Sequence, residues 1–248
     1  MNNKLHLVMP MGGGGTRFEN KGFSVPKPLI ILQGHPFFYW AVQSIVRYTE
    51  VQDITFVVLQ EHVNDYAIDV KIHEYYPTAC IKVIPHVLDG AVLTCLEGIA
   101  DIEDDLPVLF NDCDHAFTSS KFYEYCEIGD FSGIDGALLT FQSDSPTFSY
   151  ARFDSAGKFI GTIEKEVASS EAICGAYFFG NSAVFRKATE QYLTTCSYKE
   201  FFMSGVYNVL YKMGGRVITC PLVDHITFGT PDEYNLAVHD KRLRGLEV

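Results

Sequence analysis

The sequence predicts an α/β fold, in which a mostly parallel β-sheet is flanked by helices and a smaller, more antiparallel part follows. Up to about residue 128, short apolar runs alternate with segments of helical periodicity. Beyond residue 130, several strand-like segments follow one another with turns between them. A length of 248 residues suits one domain, with halves at 1–130 and 131–248.

The first half predicts four strand–helix alternations. Its strands are short and rich in β-branched residues, and one of its helices opens with Pro36 in the first turn. The expected strands are Leu5–Met9, Ile54–Leu59, Ile81–Pro85 and Leu106–Phe110, and the expected helices are Pro36–Tyr48, Val63–Tyr75, Ala91–Ala100 and Ser120–Glu127. Such alternation places parallel strands between two helical layers, and ligands then bind at the carboxyl ends of the strands.

The second half predicts strands joined by turns, among them a hairpin turn at Ser155–Lys158. The expected strands are Gly136–Phe141, Ser149–Phe153, Lys158–Glu164, Ile173–Phe179 and Arg216–Pro221, and the expected helices are Ser182–Tyr192, Lys199–Met213 and Pro231–Arg244. The apolar C-terminal helices could form an interface between copies of the chain or simply close the core.

The charge balance argues against two classes of partner. Nineteen Lys and Arg against 31 Asp and Glu give a net charge of −12, whereas proteins that bind nucleic acid or anionic membranes are usually basic. The sequence also has no apolar run long enough to span a membrane, and the apolar run Leu5–Val8 is too short for the core of a signal peptide. We therefore expect neither a nucleic-acid nor a membrane partner.

The seven cysteines do not predict disulfides or a zinc site. Their number is odd, and no two are spaced as C-x-x-C. We expect reduced, mostly buried thiols in a cytoplasmic protein. His115 lies two residues after Cys113, but two potential ligands are a weak metal signal, and we expect a loop histidine.

The strongest local signal is a glycine loop directly after the first strand, Met11-Gly12-Gly13-Gly14-Gly15-Thr16-Arg17. Consecutive glycines let backbone N–H groups approach a phosphate, and Arg17 adds a charged fork that fits phosphate geometry. A Walker A loop would need Gly-Lys-Ser/Thr, and a dinucleotide fingerprint would need glycine at position 17. A surface turn is the remaining alternative, but it would lose the entropy of four glycines without a gain in packing.

A second signal follows about ten residues later. Pro26 and Pro28 flank Lys27 and restrict the backbone around it. A lysine in a rigid turn is by itself unremarkable at a surface. Together with the glycine loop, it suggests a cation held toward a fixed negative charge.

These segments together resemble the nucleotidyltransferases that join a nucleoside triphosphate to a sugar phosphate or a similar phosphorylated small molecule. The matching motifs occur in the order of that family and cover residues 4 to 240. They are Gly13–Arg17, Pro26–Leu29, Gly34–Pro36, Leu88–Leu93, Phe110–Asp114, Ile163–Lys165, Gly175–Phe179 and Gly229–Tyr234. The resemblance implies a Rossmann-like, nucleotide-diphospho-sugar transferase-like fold with a nucleotide-binding first half and an acceptor-binding second half.

The resemblance also implies roles for particular residues. Arg17 and Lys27 would be catalytic cations, Asp114 would bind Mg²⁺, and Asp224 is the candidate for a second metal ligand. The implied nucleotide-binding residues are Met11, Gly12, Gly13, Gly14, Gly15, Thr16, Gly90, Ala91 and Asp112, and the implied acceptor-binding residues are Glu164, Lys165, Tyr150 and Gly175. The reaction would release pyrophosphate and supply an activated precursor for surface polysaccharide.

Two departures from the family pattern leave alternatives open. The family often has a metal-binding aspartate just before the late Gly-Thr, where this chain has Ile226-Thr227-Phe228, so either Asp224 replaces it or Asp114 holds the metal with phosphates alone. Glu166 stands where proline is usual, beside Lys165. Asp112 and Asp114 could instead cap a loop, Glu164 and Lys165 could be a solvated pair, and Tyr150 could simply pack in a strand.

Two other functions compete with sugar-phosphate transfer. A cytidylyltransferase for phosphocholine would use aromatic side chains around a quaternary amine, and 14 Tyr and 19 Phe are available. A non-catalytic nucleotide sensor would explain the missing late aspartate, but it would not explain why Arg17, Lys27, Asp114 and Lys165 are all present.

Overall fold

A computed structural model describes residues 4–129, 131 and 133–247. The first three residues of the chain lie outside this description. The strands are β1 (Leu5–Met11), β2 (Ile31–Leu32), β3 (His35–Pro36), β4 (Val51–Leu59), β5 (Cys80–Ile84), β6 (Val108–Asn111), β7 (His115–Thr118), β8 (Gly136–Gln142), β9 (Ser149–Phe153), β10 (Phe159–Glu164), β11 (Glu171–Phe179), β12 (Val217–Pro221) and β13 (Asp224–Thr227). The α-helices are α1 (Thr16–Glu19), α2 (Phe37–Val46), α3 (Gln60–Tyr66), α4 (Ile68–Tyr75), α5 (Ala91–Gly98), α6 (Ser120–Ile128), α7 (Ser182–Thr195), α8 (Met203–Lys212) and α9 (Pro231–Ala237), with 3₁₀ turns at Lys27–Leu29 and Lys241–Gly245.

The central sheet joins both halves of the chain. Strands β5, β4, β1 and β6 are neighbours and run parallel, as the strand–helix alternation predicts. Strand β11 pairs antiparallel with β6 and β8, and β12 pairs parallel with β8. The β9–β10 hairpin joins the start of β11 where Ala172 pairs with Tyr150. The mostly parallel α/β architecture with a more antiparallel second half is therefore confirmed.

Apolar side chains fill both faces of this sheet, because alternate residues of each strand point to opposite sides. Along β1, Leu7 and Met9 lie in one buried cluster with Trp40 of α2, whereas Val8 lies in the other with Val92 of α5. The sheet is therefore packed on both faces, and it supports the loops at the carboxyl ends of its parallel strands.

Several element boundaries differ from the sequence prediction. The helix expected over Val63–Tyr75 is two helices, because Ala67 adopts a left-handed conformation with φ of 49° between α3 and α4. The helix expected over Pro231–Arg244 stops at Ala237, and Asp240 caps a 3₁₀ turn after it. The sequence analysis missed the short pair β7 and β13, whose partners are more than 100 residues apart.

Two further observations concern the chemistry of the chain as a whole. All seven cysteines lie among the described residues and are free thiols, and four of them are buried. Among the described residues, no helix is both long enough and apolar enough to cross a membrane.

Candidate active site

The predicted phosphate-binding and metal-binding segments meet because their strands are neighbours. The glycine loop follows β1, Asp112 and Asp114 follow β6, and β1 and β6 pair in parallel. Gly175 comes from β11, where the next residue, Ala176, pairs with Asn111. Three chain segments that are distant in sequence therefore converge at one edge of the sheet.

The four glycines of the loop occupy different environments. Gly12 is buried, and a Cβ there would lie 2.6 Å from Cδ1 of Ile84, so the position accepts no side chain without a shift. Gly15 has φ of +64° and starts α1, a conformation that glycine adopts without strain. Gly13 and Gly14 are exposed, so the middle of the loop leaves its backbone open to a ligand.

Lys27 forms an ion pair with Asp114 beneath the glycine loop. Its Nζ lies 2.8 Å from Oδ2 of Asp114, and both side chains remain about a quarter exposed. Burial opposes the charge on Lys27, but Asp114 outweighs it and raises the lysine pKa. Burial would likewise raise the pKa of Asp114, but Lys27 lowers it below its usual range. The proline-flanked lysine is thus directed at a fixed negative charge, as the sequence suggested.

A small cavity of about 150 Å³ lies at this ion pair. Its lining combines loop glycines with the residues at the end of β6, and consists of Pro10, Met11, Gly13, Gly15, Lys27, Pro28, Asp112, Cys113 and Asp114. The cavity shares Asp112 and Asp114 with a larger cleft of about 380 Å³. The two aspartates therefore lie between the small cavity beneath the glycine loop and the larger cleft, which extends toward the second half of the chain.

The nearby Lys27 pairs with Asp114, and Asp112 forms no ion pair with a described residue. Its backbone N–H donates to the carbonyl of Gly175 at 3.0 Å, and a Cβ on Gly175 would lie 2.7 Å from Oδ2 of Asp112. Burial first, and then the neighbouring charge of Asp114, raise the pKa of Asp112 to about 7. A cation bound beside the two aspartates would therefore favour the ionised form of Asp112.

The larger cleft brings first-half and second-half residues together. Its lining consists of Arg17, Asp112, Asp114, His115, Thr147, Phe148, Ser149, Ile173, Cys174, Gly175, Tyr177, His225, Thr227, Gly229, Thr230 and Glu233. Arg17 is exposed there and forms no ion pair with a described residue. Its guanidinium is therefore available to an anionic ligand.

Two histidines on the cleft wall form a hydrogen-bonded chain. Asn111 donates from Nδ2 to the carbonyl of Ala41 at 3.0 Å, and its Oδ1 lies 3.0 Å from Nε2 of His115. Nδ1 of His115 lies 3.3 Å from Nε2 of His225. Burial, more than the charges around the rings, lowers the pKa of His115 to about 4 and that of His225 to about 3, so both rings are neutral near pH 7.

The sequence analysis missed this histidine pair. His115 is not a loop residue but a buried member of β7, which pairs with β13. Nothing local in the sequence predicts that pairing. The one available signal was a polar residue, Asn111, at the end of an otherwise apolar strand.

The predicted acceptor residues Glu164 and Lys165 lie at the end of β10. Oε1 of Glu164 accepts from Ser149 at 2.6 Å and from Ser204. The Lys165 ammonium lies 5.1 Å from the centroid of the Phe202 ring, and the lysine backbone has φ of +54°. Burial raises the pKa of Tyr177 well above its usual value, and Asp112 and Glu164 both add to that rise. Tyr177, which lines the cleft, is therefore close enough to both carboxylates to feel their charge.

Tyr150 does not line the cleft. It is fully buried, and its hydroxyl donates to the carbonyl of Ser145 at 2.7 Å. Alternation along β9 turns its neighbour Ser149 toward the cleft instead. The packing alternative for Tyr150 is therefore the one that the structure favours.

Asp224 does not lie beside Asp114. It begins β13, pairs with Thr118 and forms an ion pair with Arg242 at 3.2 Å. Thr227, three positions later, pairs with His115, the residue after Asp114, so about 10 Å along the strand separates Asp224 from the end of β13 that lies near Asp114. Gly229, two residues after the end of β13, instead lies against Asp114, since a Cβ there would lie 2.6 Å from Oδ2.

Gly90 and Ala91 begin α5 on the other side of the glycine loop. Gly90 has φ of +136°, and a Cβ there would lie 2.7 Å from the carbonyl oxygen of Phe201. Ala91 is exposed. The backbone of Phe201 thus packs directly on the turn that the resemblance assigns to the nucleotide.

A larger groove than this cleft lies elsewhere on the described surface. It measures about 720 Å³ and is lined mainly by apolar side chains such as Phe23, Tyr75 and Tyr234. It contains none of the predicted catalytic, metal-binding or acceptor-binding residues. The smaller, polar cleft at Asp112 and Asp114 is therefore the better candidate for chemistry.

No protein-family model matches the chain, and no curated protein matches it. Solved structures do match. A nucleoside-diphosphate-sugar pyrophosphorylase from Vibrio cholerae has a TM-score of 0.80 at 23% identity, over 94% of this chain and 100% of that one. An inositol-1-phosphate CTP transferase from T. maritima has a TM-score of 0.76 at 12% identity, over 99% and 95%.

A third structure is that of a protein from Bacillus anthracis, provisionally assigned as a glucose-1-phosphate thymidylyltransferase. It has a TM-score of 0.72 at 19% identity, over 97% of this chain and 99% of that one. These similarities extend along nearly the whole chain. They establish that this protein has a sugar-phosphate nucleotidyltransferase-like fold, as the motifs predicted.

Proposed function

We propose that the protein is a nucleotidyltransferase that joins a nucleoside triphosphate to a sugar phosphate and releases pyrophosphate. The observation that carries this proposal is the convergence of the glycine loop, the Lys27–Asp114 ion pair and Asp112 at one edge of the sheet. The fold shared with three solved nucleotide-transfer or pyrophosphorylase structures supports it.

The cations of the site have distinct roles in this proposal. Gly13 to Thr16 bind the triphosphate through backbone N–H groups, and Arg17 neutralises the β- and γ-phosphates. Lys27 exchanges its contact with Asp114 for the α-phosphate, where negative charge develops during the reaction. An oxygen of the acceptor phosphate then forms a bond to the α-phosphorus, and the bond from that phosphorus to the β-bridging oxygen breaks. The attacking phosphate is already ionised, so no general base is needed.

Asp112 and Asp114 are suited to hold Mg²⁺. Among the described residues, no group of three His, Cys, Asp or Glu side chains could hold a metal ion. Mg²⁺ does not need such a group, because it binds through one or two carboxylates, substrate phosphates and water. Burial and the neighbouring carboxylate of Asp114 raise the pKa of Asp112, and a bound cation would stabilise its ionised form. Bound there, Mg²⁺ would neutralise charge on the phosphate oxygens.

The acceptor would lie in the larger cleft, toward the second half of the chain. Gly175 and Ser149 line it, and Glu164 is held in place behind Ser149. Lys165 would bind the acceptor phosphate. The product would be a nucleotide-activated sugar made in the cytoplasm, and a glycosyl-transferring reaction of surface polysaccharide synthesis would consume it.

A second candidate is cytidylyl transfer to a non-sugar acceptor. The aromatic side chains of Phe148 and Tyr177 on the cleft wall favour it, because aromatic faces attract quaternary amines. An inositol-1-phosphate CTP transferase among the structurally similar proteins also shows that this fold accommodates an acceptor other than a sugar phosphate.

The first test is thermal unfolding of the purified protein with ATP, CTP, GTP, UTP and dTTP, each with and without Mg²⁺. A ligand at about 100 times its Kd should stabilise the fold by about 2.7 kcal/mol, a rise in Tm of a few degrees. We expect one nucleotide to stand out and its effect to need Mg²⁺. Pyrophosphate release is then screened over phosphorylated acceptors with that nucleotide.

Matched variants make this test specific. Arg17→Ala should abolish the nucleotide-dependent rise in Tm, while the exposed controls Arg244→Ala and Lys21→Ala should retain it. If no nucleotide changes the Tm and no acceptor yields pyrophosphate, the proposed function is wrong. Nucleotide binding without pyrophosphate release would favour the non-catalytic sensor.

A further inference from the structure

The histidine pair on the cleft wall has a defined order of hydrogen atoms. The amide nitrogen of Asn111 donates to the carbonyl of Ala41, so the amide cannot be reversed and its oxygen faces His115. Nε2 of His115 therefore carries the hydrogen that this oxygen accepts. In a neutral ring, Nδ1 of His115 is then without a hydrogen.

The hydrogen atoms of the His225 ring follow from those of His115. Because Nδ1 of His115 is an acceptor, the hydrogen between the rings belongs to Nε2 of His225. Nδ1 of a neutral His225 then carries a lone pair. No described residue donates a hydrogen bond to that nitrogen, and His225 is a half-buried residue of the cleft wall.

The His225 ring is also held in place from behind. It packs against Phe141 with ring centroids 4.3 Å apart, and Phe141 in turn contacts Phe148 at 5.0 Å. A ring fixed by one hydrogen bond and one aromatic contact loses little further freedom when it binds a ligand. His225 is thus a preorganised hydrogen-bond acceptor.

We propose that His225 is a specificity-determining residue that accepts a hydrogen bond, through Nδ1, from a hydroxyl group of the acceptor substrate. This inference rests on the proposed function and narrows it to hydroxyl-bearing acceptors such as sugar or polyol phosphates. A quaternary ammonium has no hydrogen to donate and would leave the Nδ1 lone pair dehydrated and unpaired, which is costly.

The surrounding groups are consistent with a hydroxyl-rich acceptor. Thr147, Ser149, Thr227 and Thr230 also line the cleft. The hydroxyls of Ser149 and Thr230 already donate to Glu164 and Glu233, and their oxygens can still accept a hydrogen bond. Glu233 adds a carboxylate that only accepts when ionised. A ligand with several hydroxyl groups could therefore satisfy these side chains together.

The tautomer can be measured without any assumption about activity. In the ¹⁵N NMR spectrum of the wild-type protein labelled at histidine, we expect both His115 and His225 to carry hydrogen on Nε2 and none on Nδ1. Addition of glucose 1-phosphate should shift the Nδ1 signal of His225 as that nitrogen accepts a hydrogen bond. A hydrogen found on Nδ1 of His225 would overturn the inference, whatever the protein catalyses.

Steady-state kinetics are the second test of the role of His225. Pyrophosphate release is measured with glucose 1-phosphate and with choline phosphate as the acceptor. His225→Phe should raise the KM for glucose 1-phosphate about tenfold, the usual cost of a lost hydrogen bond, and leave the KM for the nucleotide unchanged. His239→Phe, at an exposed position, should change neither. Wild-type protein should prefer glucose 1-phosphate to choline phosphate.

The outcomes separate the two levels of the proposal. If pyrophosphate is released but His225→Phe leaves the acceptor KM unchanged, or if choline phosphate is preferred, the inference fails and the nucleotidyltransferase proposal stands. If neither acceptor nor any other phosphorylated compound is turned over, the proposed function fails and the role of His225 fails with it. Circular dichroism of His225→Phe excludes misfolding as the cause of a raised KM.

Discussion

At the scale of single residues, the site is organised by an unequal distribution of charge. Asp114 has Lys27 as its partner, whereas the half-buried Asp112 beside it forms no ion pair with any residue that the structure describes. The pKa of Asp114 is therefore lowered while that of Asp112 is raised to about 7. The pair is suited to share one added cation, and Lys27 must leave Asp114 to reach a phosphate.

Replacement of Lys27 tests whether this lysine acts on a phosphate during the reaction. Lys27→Met should lower the rate of pyrophosphate release on the order of a hundredfold, because the lysine acts mainly on charge that develops in the transition state. The KM for the acceptor should change much less. Lys21→Met, a few residues away and exposed, is the matched control. A Lys27→Met enzyme that retains the wild-type kcat would show that the lysine is only structural.

Gly175 provides a steric test of Asp112. A methyl group at Gly175 would lie 2.7 Å from Oδ2 of Asp112, and the backbone φ of +98° is unfavourable for alanine. Gly175→Ala should lower the free energy of unfolding by about 1–3 kcal/mol and weaken the Mg²⁺-dependent rise in Tm. Gly245→Ala has nothing within 4 Å of the added carbon and should do neither. Urea unfolding measures the first effect, and thermal unfolding with Mg²⁺ and nucleotide measures the second.

At the scale of elements, the carboxyl ends of the strands carry the site, and their opposite ends carry a separate charge network. His6, near the start of β1, is almost fully buried between Asp53 and Asp104, with each contact at 2.9 Å. Burial opposes the charge on His6, but the two carboxylates outweigh it and raise the pKa. The network ties β1 to β4 and to the loop before β6.

This network predicts how stability depends on pH. Because the folded-state pKa of His6 is above the unfolded value of about 6.5, its contribution is complete below that value and is lost as the pH rises through the folded pKa. Asp104→Asn should therefore lower the Tm at about pH 6 and flatten its decline toward alkaline pH. The adjacent exposed Asp105→Asn should leave the wild-type profile intact. An unchanged profile in Asp104→Asn would show that the network does not contribute.

At the scale of the whole molecule, one continuous sheet joins the two halves of the chain. The junction is the antiparallel pairing of β6 with β11, supported by the contact of Phe110 with Phe185 at 4.5 Å. Both sheet faces bury side chains from the two halves in common clusters. We propose that residues 1–248 form one cooperative domain and that neither half is stable alone.

Trp40 is a convenient probe for this proposal. It is the only tryptophan of the chain, lies fully buried in the first half and donates from Nε1 to the carbonyl of Leu32 at 2.8 Å. Its fluorescence and far-UV circular dichroism should report the same urea midpoint and the same m value. A fluorescence transition that precedes or follows the circular-dichroism transition would indicate two separately unfolding halves.

Local patterns in the sequence were sufficient for the parallel core and for part of the candidate site. The glycine loop, Asp112 and Asp114 each follow a strand that its apolar run predicts, and the carboxyl ends of neighbouring parallel strands must meet at one edge. Only tertiary structure decided the rest. Whether Tyr150 or Ser149 faces the cleft depends on which face of β9 is buried. The separation of Asp224 from Asp114 and the contact of His115 with His225 depend on the register of β7 with β13. That register joins residues more than 100 positions apart, and backbone pairing over such a distance leaves no periodic or local signature in the sequence.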